Sequence, residues 1–510
     1  MARNSSRFSI LSLSLLAALV PSWSSAGPLD AAGKSWTYAH GGAGGFLSEI
    51  VAFDKLSGNL WVAGATGVDV LNASSGSLVQ RIDTTAYGAI NSIAIHNGVV
   101  AMAFEAIVRT DPGQVALFGT GSRAPLPGVS TITVGALPDM VSFTPDGSKL
   151  LVANEGTPST YGALVSAPGV FPRVFGASAV DPVGSVSIID MASRSVQSTA
   201  TFAGVATSGS HLRTHTGMDF EPEYITVNAA GTKAYVSVQE ANGMAVLDIA
   251  TGSFEQLIGL GAKDFNLPGN RIDPRNNGTI ELINVPVKGL YQPDGLTSFE
   301  RGGKTFILMA NEGDFREDDG DRSAASNLGA SGILANLRVS NTDSSAGDLF
   351  TVGGRSFSIR DENGVLVYDS GEILDREAIA AGIYDDGRSR DKGVEPESVE
   401  VLDIAGRMFA FVGLERTLQA AIAVFDVTDP ENTSFVRLLV SPGDRSPEGL
   451  KVFDWEGNAY LAFSNEVSNT TTLFQLTQTV PTPGTLLLVM AAGGAAWLVR
   501  RRNPARQFNG

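Results

Sequence analysis

The sequence contains no cysteine, only four histidines and few charged residues, and each shortage excludes a type of chemistry. Charged residues make up 17% of the 510 positions and aromatic residues 8%. Without cysteine the chain can form no disulfide, use no thiol nucleophile and build no cysteine-based zinc site. Stability must come from the core, and a hydrophobic content of 43% is enough to form a large one.

Basic residues are scarce relative to acidic ones. Lysine and arginine total 36 against 53 aspartates and glutamates, which gives a formal net charge of −17. Nucleic-acid binding requires a basic stripe, so we expect no nucleic-acid partner. An acidic surface suits solubility outside the cell or the binding of cations.

Familiar catalytic motifs are also missing. The chain has no Gly-x-Ser-x-Gly elbow, no His-Glu-x-x-His helix and no phosphate-binding glycine loop. His211 and His215 have a spacing that would align them on a helix, but HLRTHTGMDFEPE has the composition of a loop, and we expect both to be solvent-exposed. The catalytic residues are therefore unknown; an active site, if present, is expected where the repeat loses its symmetry, at residues 310–318 and 385–398.

The N-terminal end carries sorting information. Residues 1–26 combine two arginines, an apolar run and small residues that end in SSA, and we interpret them as a secretory signal cleaved after Ala26.

The C-terminal end, residues 480–502, has about fourteen apolar residues before an arginine cluster. This is short for a transmembrane helix, which needs roughly twenty. Pro481, Pro483 and the cluster at 500–502 resemble the PEP-CTERM signal of Gram-negative bacteria, although Thr482 stands where glutamate is usual. The resemblance implies an exosortase-type partner, brief retention in the inner membrane and then a cell-surface or extracellular location. A marginal C-terminal membrane anchor is the alternative.

One pattern recurs along the chain: an alternating apolar run, a glycine-containing turn and a second β-type run. Five copies begin with a proline-acid pair and contain a glutamate after the second run, whereas two earlier copies lack the pair and the first also lacks that glutamate. The copies span residues 47–67, 89–105, 137–156, 221–240, 292–313, 395–415 and 446–466.

Third and fourth β-type runs follow many copies, for example residues 244–252 and 434–442. Four antiparallel strands in each of seven units predict an all-β, seven-bladed β-propeller with YVTN-like blades over residues 34–478. We expect KSWTYAH (34–40) to complete the last blade so that no sheet edge stays open. Antiparallel pairing should place four long insertions on one face, at residues 157–183, 253–291, 314–350 and 371–392.

The paired acids should lie on that same face, around the central opening. The predicted site residues are Asp139, Glu155, Glu223, Glu240, Asp294, Glu312, Asp314, Glu397, Glu415, Glu448 and Glu466. So many carboxylates around one funnel would repel each other unless something compensates them.

Three forms of compensation are open. The first is a bound cation, most plausibly Ca²⁺, which uses oxygen ligands only; the loop GDFREDDGD would add Asp314, Asp318, Asp319 and Asp321. The second is ion pairing with nearby arginines. The candidate arginines are Arg316, Arg388, Arg390, Arg416 and Arg445. The third is hydrogen bonding of each carboxylate to backbone N–H groups of the next blade.

Several motifs together resemble the choice-of-anchor I family: NEGDFRE, RSRDKGVEPES, LER followed by IAVFDVTDP, and SPEGL followed by SNE. This group includes the mesenchyme-specific cell-surface glycoprotein and bacterial proteins described as alkaline-phosphatase-like. The resemblance covers roughly residues 34–478 and implies an exported propeller displayed at the surface.

Two functions remain open. The first is a non-enzymatic binding, adhesion or matrix module that recognises an unidentified extracellular ligand through its acidic loop face. The second is a calcium-dependent phosphoesterase similar to alkaline phosphatases or propeller phytases, with its metal ions held by the funnel carboxylates.

Overall fold

The computed structural model describes residues 27–41 and 46–477, and their regular secondary structure is almost entirely β-strand. The proposed secretory signal and the tail at 480–502 lie outside the described residues. No helix in the described part is long and apolar enough to cross a membrane. The α-helix found there is α1, Ile373–Ala380.

The strands follow in chain order, and the alternating runs of the sequence form most of them. The first half contains β1 Gly33–Ala39, β2 Ser48–Asp54, β3 Asn59–Gly64, β4 Gly67–Asn72, β5 Leu78–Asp83, β6 Ile90–His96, β7 Val99–Phe104, β8 Pro112–Gly119, β9 Thr131–Ala136, β10 Pro138–Phe143, β11 Lys149–Asn154, β12 Ser185–Asp190, β13 Ser195–Thr201, β14 Thr207–Ser210, β15 Ile225–Val227, β16 Lys233–Val238, β17 Gly243–Asp248 and β18 Ser253–Leu260. The second half contains β19 Ala262–Asp264, β20 Val287–Leu290, β21 Leu296–Arg301, β22 Lys304–Asn311, β23 Arg322–Ala324, β24 Arg338–Ser340, β25 Leu349–Thr351, β26 Ser356–Asp361, β27 Leu366–Asp369, β28 Pro396–Ile404, β29 Arg407–Leu414, β30 Ala420–Asp426, β31 Ser434–Ser441, β32 Pro447–Trp455, β33 Asn458–Asn465 and β34 Thr470–Gln475.

Most of these strands belong to up-and-down antiparallel sheets. In chain order they are sheet 1 (β2–β5), sheet 2 (β6–β9), sheet 3 (β10–β13), sheet 4 (β15–β18), sheet 5 (β21, β22, β26, β27), sheet 6 (β28–β31) and sheet 7 (β32–β34 with β1). Sheet 4 gains β14 as a parallel edge strand beside β18. The insertions form two smaller sheets, β19–β20–β25 and β23–β24.

The repeated sequence pattern coincides with this architecture. Every copy of the pattern forms the first two strands of one of the seven sheets. The expectation for one insertion needs correction: residues 253–291 do not all follow the fourth strand, because Ser253–Leu260 is that strand. The segment expected to complete the last sheet forms β1, which pairs antiparallel with β34.

The hydrophobic core is divided into layers between consecutive sheets. Sheets 1 and 2 share a buried cluster around Trp61 and Phe104, and sheets 5 and 6 share one around Phe357 and Phe425. Clusters of the same kind join all other neighbouring pairs, including sheet 7 to sheet 1. Fully burying such a side chain contributes roughly 1.5–3 kcal/mol, so packing between sheets stabilises the arrangement.

The first strands of the sheets surround a common axis. Each contacts the first strands of both neighbouring sheets, and β32 contacts β2. A cavity of about 530 Å³ lies between them, with Tyr224 in its wall and Asp294 and Glu397 among its acidic lining residues. The all-β, propeller-like fold predicted from the sequence is confirmed.

Candidate functional site

In five of the seven sheets the pairing of the first two strands is irregular where the first strand begins. In sheet 3 the pairing with β11 skips Asp139, because Pro138 opposes Asn154 and Met140 opposes Ala153. The residue before the proline, Leu137, has a left-handed backbone with φ of 45°. Such bulges turn a side chain away from its normal direction in the ladder, here to line the axial cavity.

The same irregularity recurs in the first two copies, which lack the proline-acid pair. In the first copy Ser48 and Glu49 occupy the positions of Pro138 and Asp139, so the first acid is present without the proline. In the second copy the equivalent position is Asn91. Around the axis the set is therefore Glu49, Asn91, Asp139, Glu223, Asp294, Glu397 and Glu448.

The second acid is fixed by a repeated backbone hydrogen bond. The N–H of Glu155 donates to the carbonyl of Leu137 at 2.8 Å, and the N–H of Glu415 donates to the carbonyl of Glu395 at 2.9 Å. Glu466 makes the equivalent bond at 2.9 Å. In sheets 3, 6 and 7 the end of the second strand is thereby held beside the start of the first, so both acids of these repeats open on the same side.

Burial and mutual repulsion raise the pKa values of these carboxyl groups. Burial is the largest cause for each, and charge from neighbouring carboxylates adds to it. The pKa is raised to about 6 for Asp294 and Asp314, to about 7 for Glu49 and Glu155, to about 8 for Glu240 and Glu415, and well above the ordinary range for Asp139, Glu223, Glu397 and Glu448.

Two carboxyl pairs are close enough to share a proton. Asp294 and Glu397 hydrogen-bond to each other across the boundary of sheets 5 and 6. Glu223 and Glu240 do so within sheet 4. Two neighbouring carboxylates cannot both be charged without a large cost, which contributes to the raised pKa values of Glu397 and Glu223.

Three groups of carboxylates converge further. In each group the oxygen atoms of three residues all lie within 4.8 Å of one another. The groups are Asp294 with Glu312 and Glu397, Glu312 with Glu395 and Glu415, and Glu415 with Glu448 and Glu466. Oxygen atoms at this spacing can surround one hard cation such as Ca²⁺.

The middle group is already compensated by the protein. Lys392 Nζ lies 2.5 Å from Glu312 Oε1 and 3.2 Å from Glu395 Oε2. Arg388 lies 2.5 Å from Glu395 and Arg416 lies 2.7 Å from Glu415. Burial alone would raise the pKa of Glu395, but these cations hold it below its ordinary value. Three basic groups therefore balance three acidic ones at this point.

The arginine expectation is only partly correct. Arg388 and Arg416 pair with the site acids, whereas Arg316 is buried and donates to the carbonyl of Thr216 at 2.8 Å and to Asp318 at 2.9 Å. Its guanidinium also stacks on Phe175. In the described chain, Arg390 and Arg445 form no ion pair with a predicted site residue.

The loop GDFREDDGD contributes less to the opening than the sequence suggested. Asp318 pairs with Arg316, and Asp319 pairs with Arg322. Asp321 pairs with the buried Arg213. These three acids thus satisfy arginines of the insertion, whereas Asp314 interacts electrostatically with Lys392 and Glu312, and Glu317 acts on Glu155.

The expectation of backbone hydrogen bonds between blades is wrong for these carboxylates. Within the described ranges, none of the predicted site carboxylates accepts a hydrogen bond from the backbone of a neighbouring sheet. Asp314 accepts only from the adjacent N–H of Phe315, at 2.7 Å. The contact to a neighbouring sheet comes instead from a side chain, Gln239 Nε2, which donates to Glu312 at 2.9 Å.

Sequence reasoning missed Lys392, although it lies within RSRDKGVEPES. Its signal was its position three residues before the Glu-Pro-Glu of the sixth copy. His211 and His215 are exposed, as expected. In the part of the chain described by the structure, neither belongs to a group that could hold a metal ion.

Comparisons with known proteins agree with this fold. The profile of the choice-of-anchor I domain matches residues 49–430. Hydrazine synthase of Kuenenia stuttgartiensis is similar in structure, with a TM-score of 0.50 and 10% identity over 87% of this chain and 98% of that one. A chain of a mitotic checkpoint complex has a TM-score of 0.49 and 8% sequence identity, and the alignment covers 92% of this chain and 100% of that chain. At such identities the likeness concerns the fold alone, and no curated protein matches the sequence.

Proposed function

Because the chain belongs to the choice-of-anchor I domain family, we propose that it is an exported, surface-sorted module that binds its partner through the acid-lined channel opening and is not an enzyme. Family membership is consistent with a secreted or cell-surface protein. The observation that carries the proposal is the excess of carboxylates over cations at that opening. Groups with strongly raised pKa values such as Glu223 and Glu448 have no ion-pair partner in the described chain.

The framework of this module is a closed, seven-bladed propeller over residues 34–478. Support comes from the seven four-stranded sheets, from the core clusters between neighbouring sheets, and from the contact of β32 with β2. The pairing of β1 with β34 would then join both ends of the chain in one blade. A closed ring leaves no long sheet edge exposed, which suits a protein displayed outside the cell.

Ca²⁺ is the proposed cofactor. The outer convergent group, Glu415 with Glu448 and Glu466, offers carboxylate oxygens within 4.8 Å of one another. Calcium takes six to eight oxygen ligands at 2.3–2.6 Å and needs neither histidine nor cysteine. A bound ion would replace the protons on these carboxyls and leave the opening able to bridge to an extracellular ligand or a matrix component.

The tail at 480–502 would direct the module to the surface through an exosortase-type partner. That segment lies outside the described residues, and the proposal rests on its Pro-x-Pro box, short apolar span and arginine cluster.

The phosphoesterase function gains no supporting observation. Phosphate would need basic groups beside the metal-binding acids, as in phosphoryl-transfer sites. The basic groups in that place are Lys392, Arg388 and Arg416, and each is engaged with a glutamate.

Calorimetric titration of the metal-free protein with Ca²⁺, together with melting temperatures in Ca²⁺ and in chelator, tests the proposal. We expect binding and a rise in melting temperature. Replacing Glu448 and Glu466 by glutamine should weaken binding, whereas replacing the exposed Glu431 and Glu456, which removes the same charge, should not. No binding and unchanged melting would refute the calcium proposal.

A further inference from the structure

Two of the seven repeats carry a second acid that the others lack. The residue before the conserved proline position is glutamate only in sheets 4 and 6, at Glu221 and Glu395. Elsewhere that residue is leucine, alanine, glutamine or serine. Each of the two glutamates faces the same motif from the preceding sheet, Asn-Glu-Gly, at 154–156 and 311–313. The boundary of sheets 3 and 4 is thus an internal copy of the boundary of sheets 5 and 6.

At the boundary of sheets 5 and 6 the chain supplies its own cation. Lys392 Nζ donates to Glu312 and to the carbonyl of Gly313, at 2.7 Å for the latter, and lies 3.2 Å from Glu395. Lys392 is 8% exposed and Glu395 is fully buried. The ammonium group therefore fills a pocket made of two carboxylates and one carbonyl oxygen, and Arg388 adds a second positive charge beside it.

The boundary of sheets 3 and 4 has the acids without the bases. Glu155, Gly156 and Glu221 correspond to Glu312, Gly313 and Glu395 by their positions in the repeat. Lys392 lies three residues before Glu395. The residue three positions before Glu221 is the half-buried Met218. Seven residues before Glu221, where Arg388 would be, stands Thr214.

Buried oxygens of three glutamates at this boundary lack a donor, although Glu155 Oε1 accepts a hydrogen bond from Thr157 Oγ1. Glu221 is 2% exposed and its Oε1 atom has no hydrogen bond. Glu223 and Glu240 are each 8% exposed, and apart from the hydrogen bond between the two carboxyl groups Oε2 of each has no partner. In the described chain the carbonyl of Gly156 also accepts no hydrogen bond, whereas the equivalent carbonyl of Gly313 accepts one from Lys392. Buried polar atoms are rarely left in this state.

We propose that an external Ca²⁺-type cation binds at the boundary of sheets 3 and 4, in the place that the Lys392 ammonium occupies at the boundary of sheets 5 and 6. The donors are the carboxylates of Glu155, Glu221 and Glu223, joined by the Gly156 carbonyl. This assignment rests on the proposed binding role of the opening and gives it a specific ligand and position.

Charge, donor type and burial each favour a small divalent ion here. Glu155, Glu221, Glu223 and Glu240 interact with one another electrostatically, and the basic group acting on Glu155 is Arg109, which is itself paired with Glu317. A single ammonium would leave most of this negative charge uncompensated. All donors are oxygens, which suits Ca²⁺. Glu221 is 2% exposed, and such burial favours a small ion.

The oxygens of this boundary are not among the three groups that converge within 4.8 Å. A cation bound among them would have to draw these oxygens inward. Binding therefore includes a small rearrangement of side chains and the release of protons from carboxyl groups whose pKa is raised.

The decisive variant is Met218→Lys, which gives the boundary of sheets 3 and 4 the cation that its copy already has. The full-length protein is titrated with CaCl₂ by calorimetry. We expect the variant to lose one Ca²⁺ site and to melt at a higher temperature in chelator than the natural protein. Met218→Gln, which adds no charge, is the matched control and should keep the site.

A second variant keeps the test informative if Met218→Lys does not fold. Glu221→Gln preserves shape and removes one donor charge, so the affinity for Ca²⁺ should fall about tenfold or more. Unchanged stoichiometry and affinity in both variants would overturn this inference. If Ca²⁺ binding is lost only when Glu448 and Glu466 are replaced, the proposed function stands and the assignment to sheets 3 and 4 fails; no binding by the natural protein overturns both.

Discussion

The ammonium nitrogen of Lys392 lies 2.5 Å from Oε1 of Glu312, a residue 80 positions earlier in the chain. This ion pair joins the segment that leads into sheet 6 to the end of the second strand of sheet 5. It also determines which part of the opening is neutral and which part remains acidic.

Removing this lysine should create a dependence on calcium. Lys392→Met leaves the buried Glu312 without its cation, whereas Glu395 keeps Arg388, and breaking a buried pair costs about 3–5 kcal/mol. We expect a lower free energy of unfolding in urea with chelator present, and partial recovery in CaCl₂ because the vacated pocket can accept the ion. Lys451→Met is the control: its pair with Glu400 at 2.7 Å is 40% exposed on the lysine side, so the loss should be about 0–1 kcal/mol. Equal losses in both variants would contradict this account.

Stability without calcium should decrease as the pH rises. The pKa values of Asp294, Glu155 and Glu240 are raised to about 6, 7 and 8, whereas free carboxyls titrate near 4. Between these limits the folded protein binds more protons than the unfolded chain, and stability falls with increasing pH. The melting temperature in chelator should thus be higher at pH 5 than at pH 8.

The matched variant for this pH dependence replaces Glu223 and Glu240 by glutamine. These amides cannot ionise, so the decline of the melting temperature between pH 5 and pH 8 should become smaller. A melting temperature that rises over this interval in the natural protein would show that the carboxyls are charged in the folded state.

His40 should be important for joining the last sheet to the first. Its Nδ1 lies 2.7 Å from Asp69 on β4, and its Nε2 lies 2.7 Å from Thr471 on β34. His40→Ala leaves buried Asp69 with one partner fewer, at a cost of about 1–3 kcal/mol. Urea unfolding measures the loss, and the exposed His215→Ala should have no effect. A His40 variant as stable as the natural protein would argue against this closure.

Deleting residues 480–510 should abolish retention at the cell surface while leaving the propeller folded. Cell fractionation with detection of the protein in the medium measures the change, and circular dichroism of the secreted product checks folding. Unaltered retention would separate surface sorting from this tail.

The repeat was predictable because strands of a propeller have short-range sequence signatures. Alternation, glycine turns and the proline before Asp139 or Glu397 are visible within twenty residues. They predict the sheets and the common orientation of the acids. Glu49 escaped notice because its copy lacks the proline, although the backbone irregularity that turns the side chain is kept.

The compensation of the acids was not predictable because it depends on contacts between distant segments. The sequence does not show that the side chain of Arg316 packs on Phe175 of another insertion. Nor does it show that the side chain of Lys392 binds Glu312. The comparison of Glu221 with Glu395 was available from the sequence, but its meaning required knowing what surrounds Glu395.

The difference between the two boundaries, methionine at position 218 and lysine at position 392, can arise from a single base change. The codons for methionine and lysine, AUG and AAG, differ in one base. A single point mutation at position 218 would therefore give the proposed ion site a cation of its own, and the change from lysine to methionine at position 392 would remove the cation from the other boundary. One substitution would thus change whether calcium stabilises this part of the protein, without altering any strand.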